Sequence, residues 1–268
     1  MPVNDDLALV TQAAQLAGQI ALRQFGRAPR VWDKGQGQGP VSQVDLDIDA
    51  ALRDLLLQAR PDYGWLSEET PDTPARLSCE RVFIIDPLDG TRAYLDGQDG
   101  FAHPVCVVAG GRPVAAAIHL PRLGHTYSAA LGAGAFRNGQ PIGVSDTVSG
   151  ASILATRSQL DTAHWPGGVP DLTRHFRPAL AWRMALVAEG AFDAMLTFKP
   201  AWHWDIAAGT LIVAEAGGIV SDPSGAPLVF NTPDPRAEGV IAANPALHET
   251  LVARRETPLT NVPGTGDV

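Results

Sequence analysis

Apolar residues recur with helical spacing at the start of the chain. Val10, Ala14, Ala17 and Ala21 predict a helix from Asp6 to about Phe25, stopped by Gly26 and Pro29. Ile48, Leu52, Leu55 and Leu56 form a second stripe. It predicts a helix opening near Ser42, with Ser42 and Asp45 as a capping pair and Pro61 just past its end. Between the two lies the glycine-rich stretch Lys34-Gly35-Gln36-Gly37-Gln38-Gly39-Pro40, which predicts a mobile loop. It lacks the GK[ST] ending of a nucleotide P-loop. Tyr63–Leu66 is a short apolar run leading through Ser67 into Glu68-Glu69. Arg81–Ile85 is apolar after its first residue and predicts a strand buried on both faces. Val105–Val108 and Val114–His119 read as strands joined at Gly110-Gly111. A further hairpin flanks Asn138-Gly139.

The pattern changes after about Ser145. Strands are predicted at Ile153–Ala155, Ala194–Phe198, Gly218–Val220 and Val240–Ala243. Helices are predicted at Ala179–Ala188, at Asp205–Ala216 closed by Gly217-Gly218, and from Pro245 to about Arg254. The Pro-, Gly- and Thr-rich tail beyond Thr257 predicts a frayed end. Strands and helices mix without a strict βαβ rhythm. The expected fold is an α+β or α/β layered sandwich in two subdomains, 1–145 and 146–268.

Composition narrows the function. The 268 residues are 45% hydrophobic and 18% charged, an ordinary globular balance that excludes a disordered chain. The formal charge of −9, with no basic run, excludes a binder of nucleic-acid duplexes. Acidic side chains also serve as ligands for Mg²⁺. Cys79 and Cys106 form no CxxC pair and read as small buried residues in a reducing compartment. His103, His119, His125 and His203 form no HExxH-type pair. No apolar run reaches the ~18–20 residues of a membrane span. Met1–Asp6 has neither a basic nor an apolar leader character, which points to the cytoplasm.

One segment concentrates chemistry. A buried strand feeds directly into Asp86-Pro87-Leu88-Asp89-Gly90-Thr91. The proline takes the chain out of the sheet, and Gly90 permits a tight turn. Asp86 and Asp89 can then face one point at the strand's C-terminal end. Two carboxylates that close repel unless a proton or a cation sits between them. A plain turn would also account for an isolated DPxDG, a solvated loop for Glu68-Glu69, and a helix cap for Asp205. Asp205 can combine capping with metal binding, and Asp45 in a first helical turn also suits the helix dipole.

Taken together and in order, these segments resemble the inositol monophosphatase superfamily. The resemblance rests on Val41-Ser42-Gln43-Val44-Asp45, Glu68-Glu69, Asp86–Thr91, Trp204–Gly209 and Glu215–Gly218, and it runs from about Leu7 to Asn244. It implies a layered αβαβα sandwich, a homodimer and inhibition by Li⁺. It implies two or three Mg²⁺ ions held by Glu68, Asp86, the Leu88 carbonyl, Asp89 and Asp205, with a weakly held ion at Glu69. Asp45 and Thr91 would polarise the attacking water, with Glu69 completing the catalytic set. The backbone N–H groups of Gly90 and Thr91 would hold the phosphate, and Asp205 would also stand beside the substrate. A dianionic phosphomonoester would be repelled by bare carboxylates, and Mg²⁺ reverses that local field.

The resemblance is less uniform on the substrate side. Inositol monophosphatases carry a Glu seven residues before the Asp205 position, where this chain has Phe198. Lys199 beside it could pair with a second phosphate. Ala155-Thr156-Arg157-Ser158-Gln159 is similar to the S-R-S-H stretch of 3′(2′),5′-bisphosphate nucleotidases, with Gln159 in place of His. Trp65–Thr70 also resembles that branch, whereas Thr91–Leu95 is closer to the T-R-A-F of histidinol-phosphatases. The expected activity is therefore Mg²⁺-dependent hydrolysis of a small phosphorylated metabolite. Conversion of 3′-phosphoadenosine 5′-phosphate to AMP and phosphate ranks first. Inositol monophosphatase or histidinol-phosphatase activity is the alternative. A non-catalytic divalent-cation-binding protein is the remote one, because Asp45 and Thr91 would then be surplus.

Overall fold

The computed structural model describes residues 3–35 and 39–256. Loop residues 36–38 and the tail from Thr257, for which mobility and fraying were expected, lie outside the described residues. The first helix, α1 (Val3–Gln24), buries Val10, Ala14, Ala17 and Ala21 as the stripe predicts. A short hairpin of β1 (Val31–Asp33) and β2 (Pro40–Ser42) follows and leads into α2 (Gln43–Ala59). Ser42 is the N-cap of α2, and Asp45 reciprocates by accepting from the Ser42 backbone N–H. That is the capping box read from the sequence.

A seven-stranded sheet comes next. It comprises β3 (Gly64–Ser67), β4 (Arg81–Ile85), β5 (His103–Ala109), β6 (Arg112–Leu120), β7 (His125–Ala130), β8 (Ala135–Arg137) and β9 (Gln140–Pro141), in that spatial order. Only the β3–β4 pair is parallel. The single-turn helix α3 (Thr91–Leu95) lies between β4 and β5. Asn138 and Gly139 take positive φ of 51° and 78° in the two-residue β8–β9 turn, the conformation such a turn requires. Strand β4 is buried on both faces, as expected. Phe83 and Ile85 pack with α1 and α2, while Val82 and Ile84 join the opposite cluster.

The C-terminal elements form a second sheet and its helices. In chain order they are β10 (Ala151–Leu154), β11 (Leu172–His175), α4 (Leu180–Ala188), β12 (Ala194–Thr197), β13 (Ala201–Trp202) and α5 (His203–Glu215). Then come β14 (Ile219–Ser221), β15 (Arg236–Ala237), β16 (Val240–Ala243) and α6 (Pro245–Glu256). Five strands make a mixed sheet in the order β11-β10-β12-β16-β14, and β13 pairs with β15 apart from it. Met184 of α4 and Leu211 of α5 share one apolar cluster with Val82 of the first sheet and Met195 of the second. Leu247 and Leu251 of α6 cover the far face of the second sheet, against Ile153, Leu196 and Ile241. The layers therefore run helices, sheet, helices, sheet, helix: the expected αβαβα sandwich. Helix α5 opens at His203, two residues before the expected start, so Asp205 sits in its first turn and Trp202 is the N-cap. Cys106 is buried, Cys79 is partly exposed, and both are free thiols. No described helix is long and apolar enough to cross a membrane.

Candidate active site

The site is assembled where β3 and β4 end together. Their parallel register pairs Ser67 with Ile85, so the next residues, Glu68 and Asp86, emerge side by side. The Glu68 N–H donates to the Ile85 carbonyl at 3.3 Å and keeps the two exits together. Beyond β4 the chain turns through Pro87 and Leu88. Asp89 bridges to Ala102 by two backbone hydrogen bonds of 2.9 Å. His103, fully buried, donates from Nδ1 to the Pro87 carbonyl at 2.6 Å and props the turn from beneath. Gly90 then adopts φ 93°, and a Cβ there would lie 3.2 Å from the Gly100 carbonyl oxygen. Glycine satisfies both constraints.

Asp205 reaches the same point from the other half of the chain. One carboxylate oxygen from each of Glu68, Asp86 and Asp205 lies within 4.8 Å of the others. An all-oxygen, all-acidic donor set of this kind fits a hard divalent cation. Asp89 and the Leu88 carbonyl segment line the same cavity of about 840 Å³. Asp89 Oδ2 accepts from the Ala181 N–H at 2.7 Å. It thereby caps α4, whose own N-cap position, Ala179, has no side-chain acceptor.

Asp45 and Thr91 meet at the wall beside this cluster. Thr91 Oγ1 is 2.8 Å from Asp45 Oδ1 and 3.0 Å from the Leu88 carbonyl oxygen. Its single proton can serve only one of them. Asp45 Oδ2 accepts from the Ser42 N–H at 2.9 Å and from the Ser42 hydroxyl. The capping box thus also aims a carboxylate at Thr91.

Burial and mutual repulsion set the electrostatics. Asp86 is raised well above the usual carboxylate range by burial, then by Glu68, Asp89 and Asp205. Asp205 is raised the same way, by burial and then by Asp89 and Glu68. Burial lifts Asp89 to about 7 against backbone hydrogen bonds from Ala181 and Leu180. Glu69 is also lifted to about 7, chiefly by burial. Asp45 is raised by burial against the Ser42 and Thr91 hydrogen bonds. Carboxylates crowded in this way favour a bound cation or a bound proton.

Two further residues belong to the site without a motif to mark them. Lys34, at the edge of the glycine-rich loop, places Nζ 2.6 Å from Glu68 Oε1 and 2.6 Å from Glu69 Oε1. Burial opposes its charge, yet the two glutamates hold its pKa above the ordinary value. Asp49, one turn beyond Asp45 on α2, accepts from the hydroxyls of Ser67 and Thr70. It fixes both ends of the Glu68-Glu69 segment. An acidic i, i+4 pair on one helix was the available signal for Asp49.

The residues expected on the substrate side stand elsewhere. Lys199 is exposed on the turn after β12 and is not among the residues lining the cavity. Phe198 packs on Trp165 and His164, with the Arg255 guanidinium 3.8 Å from its ring centre, beside a separate cavity of about 410 Å³. Gln159 is buried, with Nε2 donating to Thr156 and Oε1 accepting from the Phe198 N–H at 2.7 Å, a structural role. Arg183 donates to the Arg177 and Pro178 carbonyls. Glu215 accepts from the Gly132 and Gly134 N–H groups and secures the turn between β7 and β8. The cavity wall is instead formed by Arg92, Trp202, Trp204 and Pro235 among others. Trp202 stacks on Trp204 with ring centres 4.6 Å apart.

Comparison with known proteins decides the family. The inositol monophosphatase family model matches residues 4–259, all of the elements that build this site. The chain belongs to the inositol monophosphatase family. A fructose-1,6-bisphosphatase/inositol-1-monophosphatase of Aquifex aeolicus is 33% identical over 90% of this chain and 91% of its own length. A histidinol-phosphatase of Chlorobaculum parvum is 30% identical over 94% of the chain and 96% of its own. The crystal structure of the extragenic suppressor protein SuhB from Bartonella henselae superposes with a TM-score of 0.81 at 28% identity, covering 94% and 99% of the two chains. These inositol monophosphatase family relatives do not carry the nucleotidase name that the residues around Gln159 and Lys199 favoured. Neither Gln159 nor Lys199 reaches the cavity in this member of the family.

Proposed function

We propose that this inositol monophosphatase family member is a Mg²⁺-dependent phosphomonoesterase acting on a small phosphorylated metabolite. The observation that carries the reading is the convergence of Glu68, Asp86 and Asp205 beside the Asp45–Thr91 pair. Glu68, Asp86, the Leu88 carbonyl, Asp89 and Asp205 would hold Mg²⁺, with Glu69 available to a further ion. The chemistry supplied by bound Mg²⁺ is neutralisation of the phosphate charge and acidification of the attacking water.

The chain's own residues do the rest. Were the Leu88 carbonyl taken up as a ligand, the Thr91 proton would be left to Asp45. The Thr91 oxygen lone pairs then face the cavity and accept from the attacking water. As the water adds, it gives a proton to Thr91 while Thr91 passes its own to Asp45, which Ser42 holds in place. The N–H groups of Gly90 and Thr91 orient the phosphate. No covalent nucleophile enters the scheme. A cytoplasmic homodimer completes the reading, carried by the resemblance.

The finer reading is a 3′(2′),5′-bisphosphate nucleotidase, supported by Trp65–Thr70, which run into the site through Glu68 and Glu69. Inositol 1-phosphate and histidinol phosphate are the alternatives that the relatives' names supply. The test is phosphate release with Mg²⁺ from 3′-phosphoadenosine 5′-phosphate, inositol 1-phosphate and histidinol phosphate. Release that requires Mg²⁺ supports the phosphatase reading, and the order of kcat/KM ranks the substrates. Stoichiometric Mg²⁺ binding with no release from any of them would favour the cation-binding alternative.

A further inference from the structure

Two segments far apart in the sequence contribute to the cavity wall. Thr70, Pro71 and Asp72 come from the loop after β3, and Trp202, Trp204 and Pro235 come from the C-terminal part. Pro235 closes the loop between β14 and β15. Its carbonyl accepts from the His203 N–H at 2.9 Å, and the next residue, Arg236, pairs with Trp202 in the β13–β15 register. The placement of that loop is therefore tied to the placement of the two tryptophans.

Arg76 joins the two segments from behind. It is 2% exposed and is not among the residues lining the cavity. Its Nε and Nη2 donate to the two carboxylate oxygens of Asp72 at 2.6 and 2.8 Å. Nη1 donates to Asn231 Oδ1 at 2.7 Å, and Nη2 also donates to the Thr232 carbonyl at 3.0 Å. Asn231 Nδ2 returns a bond to the Arg76 carbonyl at 3.3 Å. Asn231 holds φ 56°, a left-handed conformation that Asn tolerates better than most side chains do. The arginine is itself seated on β3, since a Cβ on Gly64 would lie 3.1 Å from Arg76 Cα. A planar guanidinium can meet an aspartate side-on and reach two further acceptors at once, which a lysine ammonium does not reproduce. A buried ion pair is weak evidence for stability, and its best-attested use is to fix one arrangement over others.

We propose that Arg76 is a positioning residue for the substrate: by holding Asp72 to Asn231 and Thr232, it fixes the two wall segments that receive the leaving part of the phosphomonoester. The inference rests on the phosphatase reading above. The carboxylate floor and the Gly90–Thr91 backbone serve the phosphate. The wall segments then meet only a leaving group large enough to reach them, and the cavity of about 840 Å³ has room for one. Arg76 thus governs how well a bulky ester binds and leaves the attack of water unchanged.

Steady-state kinetics with Mg²⁺ would compare wild type with Arg76→Lys, Asn231→Gly and Asn231→Asp. One ester is the fastest of 3′-phosphoadenosine 5′-phosphate, inositol 1-phosphate and histidinol phosphate. The other is glycerol 2-phosphate, whose leaving group is small. Arg76→Lys should raise KM for the bulky ester about 5–10-fold while kcat stays within about twofold, and both constants for glycerol 2-phosphate should stay within about twofold. Asn231→Gly keeps the left-handed backbone and the Arg76–Asp72 pair, and should give the same split at smaller size. Asn231→Asp restores an acceptor for Nη1 and should recover most of that loss. The two Asn231 variants decide the matter if Arg76→Lys does not fold. An equal change on both esters, in KM or in kcat, would overturn the inference and leave Arg76 a stability residue. A wild-type kcat/KM no higher for the bulky ester than for glycerol 2-phosphate would also overturn it, with the phosphatase reading intact. Absence of Mg²⁺-dependent release from every ester by wild type would overturn that reading and this inference with it.

Discussion

Lys34 Nζ stands 2.6 Å from Glu69 Oε1, so the chain's own ammonium lies against the carboxylate that the family resemblance assigns to a weakly held ion. Lys34 also holds Glu68 at the same distance, and the Lys34 and Glu69 side chains are mostly shielded from solvent. A divalent ion engaging Glu69 must displace that ammonium. Removing the competitor should therefore tighten the weakest ion. We expect Lys34→Gln to lower the Kd of the last Mg²⁺ by about 3–10-fold, the worth of one partly shielded ion pair. Isothermal titration of the metal-free protein checks this directly. Identical isotherms for variant and wild type would show that Lys34 and the ion do not compete.

Asp49 supplies a second prediction. Its carboxylate holds Ser67 and Thr70 on either side of Glu68-Glu69, and it lies outside both the cavity lining and the triad of Glu68, Asp86 and Asp205. Asp49→Ala leaves two hydroxyls without their acceptor. It should cost about 2–3 kcal/mol of stability in urea unfolding. It should also raise the Mg²⁺ concentration for half-maximal activity. Loss of stability with an unchanged Mg²⁺ requirement would confine Asp49 to a purely structural role.

How much of this was readable in the sequence follows from the range of each interaction. The Ser42–Asp45 capping box is local, and the sequence spacing was sufficient to find it. The Asp86–Thr91 turn was legible because proline fixes the backbone and glycine frees it for a tight turn on the spot. The meeting of Glu68 with Asp86 was legible only through the family resemblance. Physically it depends on the parallel β3–β4 register, and Gly64–Ser67 is too short to declare itself a strand. Lys34 was hidden because a glycine-rich loop has no periodicity that says which way a side chain points. Lys199 misled because adjacency in sequence to Phe198 says nothing about direction at a turn after a strand. Arg92 sat inside a motif and was compared by type, and only the structure places it on the cavity wall.

Asp89 caps α4 through its carboxylate while lining the same cavity as Glu68, Asp86 and Asp205. Asn at this position keeps an oxygen to accept from the Ala181 N–H but removes the charge. Asp89→Asn should therefore fold and retain α4, and lose activity by about 100-fold or more, the scale set by removing a group that stabilises developing charge. Circular dichroism and phosphate release together check it. Wild-type turnover in a folded variant would remove Asp89 from the catalytic assembly.

The raised carboxylates also fix the sign of the pH dependence of stability. Asp89 and Glu69 titrate near 7 in the folded chain, and Asp86 and Asp205 are raised as well, chiefly by burial. In the unfolded chain such groups titrate near 4. Between these values the folded state holds more protons than the unfolded state, so these groups make stability fall as pH rises. The stabilisation they give is complete below about pH 4 and is lost as pH passes through about 7. Mg²⁺ bound among these carboxylates would replace the missing protons and would favour the folded state. In EDTA, Tm should therefore drop from pH 5 to pH 8, while in excess Mg²⁺ the drop should shrink and the gap between the two curves should widen toward pH 8. Thermal melts at matched ionic strength measure both curves. Parallel curves with and without Mg²⁺ would mean that the crowded carboxylates are not where the ion binds.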